Sequence, residues 1–148
     1  MSSDVAEVSV RGGFRLEMPP ALVSISISRS TVRRVVTFRD SDAESTFLVA
    51  LTEIVANAVD EHARLGVDRP IVLEVRFGSD ELVRVIDSGE GFSTALRSVP
   101  PIPIDGGEPD QRGRGLLLAR ALVPAIAFES SRTGTVVTLP FAGFGIVR

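Results

Sequence analysis

Residues 41–66 read SDAESTFLVALTEIVANAVDEHARLG, and this stretch decides the fold. Phe47, Leu48, Leu51, Ile54, Val55, Ala58 and Val59 recur at helical spacing, which predicts a helix from Asp42 to Leu65 with one face on a core. Ser41 stands as its N-cap, Glu44 three residues on completes a capping box, and Gly66 is placed to end it as the C′ residue. Glu53 and Asn57 lie four apart, one turn above each other on the same face. A carboxylate and an amide so placed are either a satisfied surface pair or a base and a metal ligand at the rim of a cleft. Taken alone, the pair favours the first reading, because polar pairs at this spacing are common on helix surfaces.

Working outward on the N-terminal side, Ala21 to Phe38 carries two patterns. Ser24-Ile25-Ser26-Ile27-Ser28 alternates like a strand, whereas Leu22, Ile25, Arg29, Val32 and Val36 share a helical face. The length of the segment decides for a helix. Phe14 to Met18 alternates as a strand and stops at Pro19-Pro20. Residues 1–13 are small and polar and are expected to be a flexible tail ahead of a single domain spanning 14–148.

On the C-terminal side, Ile71–Phe77 and Leu82–Ile86 flank the turn Gly78-Ser79-Asp80 and predict an antiparallel hairpin. The hairpin runs into Asp87-Ser88-Gly89-Glu90-Gly91-Phe92. Ser93 to Arg112 has four prolines and no periodicity. An unstructured stretch of about twenty residues inside a compact domain is unusual and points to a lid. Gly113-Arg114-Gly115 opens an apolar helix from Leu116 to near Val123, and Ala125–Glu129 and Thr135–Leu139 close the chain as short strands. The order of elements predicts an α+β sandwich, with helices on one face of a mostly antiparallel sheet.

Composition narrows the chemistry. The chain has 148 residues, a net charge of −3, no cysteine and one histidine, so thiolate and His-rich metal sites are excluded. The mildly acidic balance argues against a general nucleic-acid surface. There is no apolar run of about 18 residues and no signal-peptide pattern in Met1–Arg11, so the expectation is a cytoplasmic protein without a membrane span. All basic side chains are arginines. Without lysine there is no P-loop or kinase lysine and no Schiff base, so phosphate must be held by arginine, backbone amides or a metal.

Three further stretches can carry chemistry. Asp87-x-Gly89-x-Gly91 is either a plain turn or an acceptor that binds the amino group of a base, with glycines letting a flat ring lie against the backbone. Gly113-Arg114-Gly115-Leu116 is either a glycine turn or a helix start whose amides, with Arg112 and Arg114, hold an anion. Gly134-Thr135, entering the last strand, says almost nothing by itself.

Together their order is specific. Glu-x-x-x-Asn on a helix, Asp-x-Gly-x-Gly, a lid, Gly-x-Gly-Leu and Gly-Thr in the last strand resemble the ATP-binding domain shared by gyrase, the MutL repair proteins, the ninety-kilodalton heat-shock chaperones and histidine kinases. In size and wording the chain is most similar to the anti-sigma factor serine/threonine kinases, from about Phe14 to Phe141. The resemblance implies a two-layer sandwich of the Bergerat type that binds ATP and Mg²⁺. By position it implies that Glu53 is the general base towards a serine or threonine hydroxyl and that Asn57 ligates magnesium. It implies that Asp87 binds the adenine amino group, with Gly89 and Gly91 under the purine and Thr135 nearby. Arg112, Gly113, Arg114, Gly115 and Leu116 fall at the phosphates, and residues 93–112 match the lid. As partners it implies a sigma factor and an anti-anti-sigma antagonist that becomes phosphorylated, often with a homodimer, and no direct contact with nucleic acid or membrane. The alternative is a nucleotide-gated binding module with little or no catalysis.

One position departs from the family. Four residues after the asparagine, where a basic residue is usual, stands Glu61, with Asp60 before it and His62 one place late. Either these acids face solvent or phosphate handling is weakened. His62 reads as a helix-end packing or surface residue, since histidine is favoured near helix C-termini anyway.

Overall fold

The computed structural model describes residues 6–10, 12–89 and 111–148. In chain order the elements are β1 (Ala6–Val10), β2 (Gly13–Met18), α1 (Val23–Val35), β3 (Val36–Phe38), α2 (Ser41–Leu65), β4 (Ile71–Arg76), β5 (Leu82–Asp87), α3 (Gln111–Leu122), β6 (Ala127–Ser131), β7 (Gly134–Pro140) and β8 (Gly145–Val147). Six strands form one sheet in the order β1-β2-β4-β5-β7-β6, and β3 pairs with β8 in a small second sheet. Every neighbouring pair is antiparallel. The expected α+β sandwich is what forms.

The sheet register separates two faces. Leu16, Leu73, Val85 and Val137 lie in one row across β2, β4, β5 and β7, and all four are buried. They pack with Phe47, Leu51, Ile54, Val55 and Ala58 of α2, Val32 of α1, and Leu116 and Ala119 of α3 in one core. The neighbouring row, Arg15, Glu74, Arg84 and Thr138, faces away from the helices. There Glu74 takes ion pairs from Arg84 at 3.0 Å, Arg76 at 3.6 Å and Arg15 at 3.8 Å. One face of the sheet is thus a dry core and the other a charged surface.

The ambiguous segment is a helix. Its alternating serines serve the packing: Ser24 and Ser28 are fully buried at i, i+4, where small side chains let α1 approach the sheet. Each hydroxyl donates to a backbone carbonyl, Ser24 to Pro19 and Ser28 to Ser24, so neither is buried without a partner.

Four expectations need correction. Residues 6–10 are not part of a tail but the edge strand β1, paired with β2 through a tight connection in which Gly12 takes φ 79°. The cap of α2 is Asp40, not Ser41: Asp40 is extended, and its Oδ1 accepts the Ala43 amide at 2.7 Å. That bond holds the Asp40 carboxyl below its ordinary value. Either residue type is a good cap, so the one-residue shift was not readable locally. The C-terminal expectation holds, with Gly66 left-handed at φ 66°. α3 begins at Gln111, so Gly113 and Gly115 lie inside its first turns rather than ahead of it. Finally, β3 and β8 are added by pairing between residues far apart in sequence. Most of the expected lid, and Gly91 with it, lies outside the described residues.

Candidate functional site

α2 builds the long wall of the site. Glu53, Asn57 and Glu61 follow at four-residue intervals and make a polar edge along the helix. Beside it Leu51, Val55, Ala58 and His62 form a buried stripe. From Glu53 to Glu61 the helix rises about 12 Å, so the edge connects two separate ends.

At the first end, α3 meets α2. A methyl group on Gly115 would stand 3.4 Å from Oε2 of Glu53, so the glycine leaves the carboxylate close against the α3 backbone. Among the described residues, no hydrogen bond or ion pair engages Glu53. Oδ1 of Asn57, one turn on, is buried without a hydrogen-bond partner among the described residues. Glu53 and Asn57 are therefore not a satisfied surface pair. A buried acceptor left unpaired costs about 1–3 kcal/mol, which asks for an explanation other than stability.

At the second end, β5 finishes in the turn Asp87-Ser88-Gly89. Here several groups are held, although Nδ1 of His62 is buried without a partner among the described residues. Oδ1 of Asp87 accepts the Gly89 amide at 2.9 Å. The Ser88 amide donates to Nε2 of His62, also at 2.9 Å. A methyl group on Gly89 would come within 2.5 Å of Cγ of Glu61, so only glycine fits against that side chain. Oε1 of Glu61 in turn accepts from Nε and Nη2 of Arg64 at 3.1 and 3.0 Å. On the other side Gly134 approaches the turn so closely that a methyl group would fall 2.0 Å from the Asp87 carbonyl oxygen. Thr135 is buried directly opposite Asp87 in the β5–β7 register.

Asp87 is 7% exposed. Burial raises its carboxyl above the ordinary value, and the nearby Glu61 charge acts the same way, while the Gly89 amide, His62 and the Thr135 amide pull it partly back. The carboxylate is thus a nearly buried acceptor in a turn closed on both sides by glycines.

The expected residues thus divide: Glu53 and Gly115 stand at one end, Asp87, Gly89 and Thr135 at the other, and Asn57 lies on α2 one turn from Glu53 and one turn from Glu61. Leu116 is 3% exposed and belongs to the core, where its side chain anchors the start of α3 rather than lining a cleft. Arg114 is exposed beside it, and Arg112 and Gly113 share the first turn of α3. Asp60 faces solvent, but Glu61 does not; it is buried against the β5 turn, away from the α3 end. His62 is not a surface residue but a fully buried support of the same turn. Two signals pointed to these side chains: Glu61 is the next four-residue step after Glu53 and Asn57, and His62 interrupts an apolar stripe.

Among the described residues no helix is long and apolar enough to cross a membrane, and no cluster of three or more His, Cys, Asp or Glu side chains could hold a metal ion. No curated protein matches the chain. The family model for the histidine kinase-like ATPase domain matches residues 19–141, from the end of β2 to the end of β7, and so includes both ends of the site. By that match over most of its length, the chain belongs to the histidine kinase-like ATPase domain family and carries that family's ATP-binding fold.

Proposed function

We propose that this protein is an anti-sigma factor with serine/threonine kinase activity: it binds ATP and Mg²⁺, holds a sigma factor, and phosphorylates a serine or threonine of an anti-anti-sigma antagonist. The observation that carries the reading is the unengaged state of Glu53 and Asn57 against the start of α3. When bound, ATP supplies the transferable γ-phosphoryl group. Asp87 accepts a hydrogen bond from the adenine amino group, with Gly89 and Thr135 shaping the ring's slot. Magnesium fits the donor set: the orphan Oδ1 of Asn57 is a neutral oxygen of the type this ion takes, and phosphates and water commonly supply its other ligands. Arg112 and Arg114 stand in the first turn of α3, where the family resemblance puts the phosphates. The Glu53 carboxylate takes the proton of the antagonist's hydroxyl, which makes that oxygen the nucleophile. Glu61 is packed against Gly89 and paired with Arg64, which supports a reading in which its charge is offset rather than turned on the phosphates.

The partners follow from the family resemblance: a sigma factor, an antagonist protein and a homodimer, working in the cytoplasm without direct contact to nucleic acid or membrane. The test is incubation with magnesium, terminally labelled ATP and each antagonist-like protein of the same genome. Label on a serine or threonine of one of them is the expected result. Tight binding of ATP and partner with no label on any would leave the alternative, a nucleotide-gated binding module.

A further inference from the structure

His62 is the one histidine of the chain, and it is fully buried in α2. Its Nε2 accepts the Ser88 amide at 2.9 Å. A nitrogen that accepts cannot carry the proton, so the neutral ring holds it on Nδ1. Nδ1 is buried without a partner among the described residues. A histidine kept only to fill space would lower stability by burying that donor, and leucine or phenylalanine would fill the same volume without the loss. What the imidazole gains is the Ser88 amide, and Ser88 lies between Asp87 and Gly89.

We propose that His62 is a positioning residue of the nucleotide site: by holding the Ser88 amide it fixes where the Asp87 carboxylate meets the base, and so sets the preference for a 6-aminopurine. The inference rests on reading Asp87 as the adenine acceptor. Among the described residues the Asp87 carboxylate meets the Thr135 amide of β7, and further contacts hold the turn itself. The Asp87 side chain folds back on the Gly89 amide, Glu61 and Gly134 press on it from opposite sides, and His62 ties its middle residue to α2. The first is internal to the turn, and the packing contacts only limit its movement. The bond to His62 is a directional link from the turn to the helix that also carries Asn57 and Glu53.

Nucleotide discrimination tests this. ATP and purine riboside triphosphate, which lacks only the 6-amino group, are titrated calorimetrically into the wild type, His62→Gln and His62→Asn. Glutamine can bring its Oε1 to the place of the imidazole Nε2; asparagine is one carbon shorter and cannot. The wild type is expected to bind ATP roughly tenfold or more tightly than the analogue, as for a hydrogen bond to a charged acceptor. His62→Gln keeps most of that ratio. His62→Asn reduces it to about twofold or less through loss of ATP affinity, with the analogue's affinity nearly unchanged. Full discrimination in His62→Asn, or an equal fall for both nucleotides, overturns the role of His62 while leaving Asp87 in place. No discrimination in the wild type, with unchanged ATP affinity in Asp87→Asn, overturns the adenine reading as well. If His62→Asn does not fold, the nitrogen spectrum of the wild-type imidazole decides. A bare Nε2 and a protonated Nδ1 are expected, and a proton on Nε2 overturns the proposal.

Discussion

The two ends of the polar edge on α2 are built in opposite ways. At the β5 turn Asp87 is bonded to Gly89, Ser88 to His62 and Glu61 to Arg64, and glycines at 89 and 134 allow the parts to close on each other. Towards α3 the Glu53 carboxylate and Asn57 Oδ1 stand without partners among the described residues, although Asn57 Oδ1 is buried. The same helix supplies both, so the contrast does not come from local structure. A rigid, nearly complete site suits a flat base that must be recognised in one orientation. An end with unspent acceptors suits phosphates, a metal and a hydroxyl that arrive together. Substitutions at the two ends should therefore fail differently: those at α3 in turnover, those at β5 in affinity.

The largest effect is expected at Glu53. Glu53→Gln keeps size and hydrogen bonding but cannot take a proton. Phosphorylation of the antagonist should fall roughly 10²–10⁴-fold, the usual worth of a positioned base. The fall should appear in turnover, with ATP and sigma-partner affinity unchanged, because the lost interaction belongs to the transition state. Single-turnover assays with labelled ATP make the measurement. An unchanged rate would mean that Glu53 is not the base.

Next in size is Asp87→Asn. Here the loss should be in binding, by about 1.5–3 kcal/mol for a charge-assisted bond, or roughly ten- to a hundredfold in affinity. The fold should survive, since the amide oxygen can still accept the Gly89 amide. Wild-type affinity in calorimetry would remove the turn from the adenine site. A smaller effect separates the ends by stability. Asn57→Ala removes a buried acceptor that has no partner, so its thermal midpoint should not drop by what a lost hydrogen bond costs, about 1 kcal/mol. The dependence of ATP affinity on magnesium should nevertheless weaken. A large destabilisation would show that Asn57 has a structural bond after all.

The contrast between the ends also marks what the sequence could show. α2 was legible almost to the residue, because its apolar stripe and Gly66 are local signals. The alternation of Leu16, Leu73, Val85 and Val137 identified strands, but not that they form one row, since register depends on partners far along the chain. The pairing of Asp87 with Thr135 is of this kind, and only position within a family hinted at it. Ala6-Glu7-Val8-Ser9-Val10 alternates too, yet a short polar segment reads as a tail until the strand it joins is known. His62 read only as a helix-end packing or surface residue, because its partner, Ser88, lies 26 residues away. Glu53 and Asn57 could be singled out on α2 from their spacing alone, whereas the contacts of the β5 turn depend on partners far along the chain.

The smallest expected effect tests the closed end through protons. Burial raises the Asp87 carboxyl above its ordinary value. Its contribution to stability is then fully present below the unfolded-state value and is lost as pH rises through the folded one. Above that point the unliganded protein keeps a buried charge at some cost. An adenine amino group that donates to the carboxylate favours the ionised form, so ATP must pull the value back down. Two outcomes follow. ATP affinity should weaken as pH falls through the raised value, by about twofold where Asp87 is half protonated. Within the window between the ligand-bound and the raised value, binding should release a proton, which calorimetry in buffers of different ionisation enthalpy detects. Asp87→Asn should abolish both, while Glu53→Gln should abolish neither, because Glu53 lies at the other end of the edge. Proton uptake on binding, or a release that persists in Asp87→Asn, would assign the linkage to another group and leave Asp87 without its contact to the base.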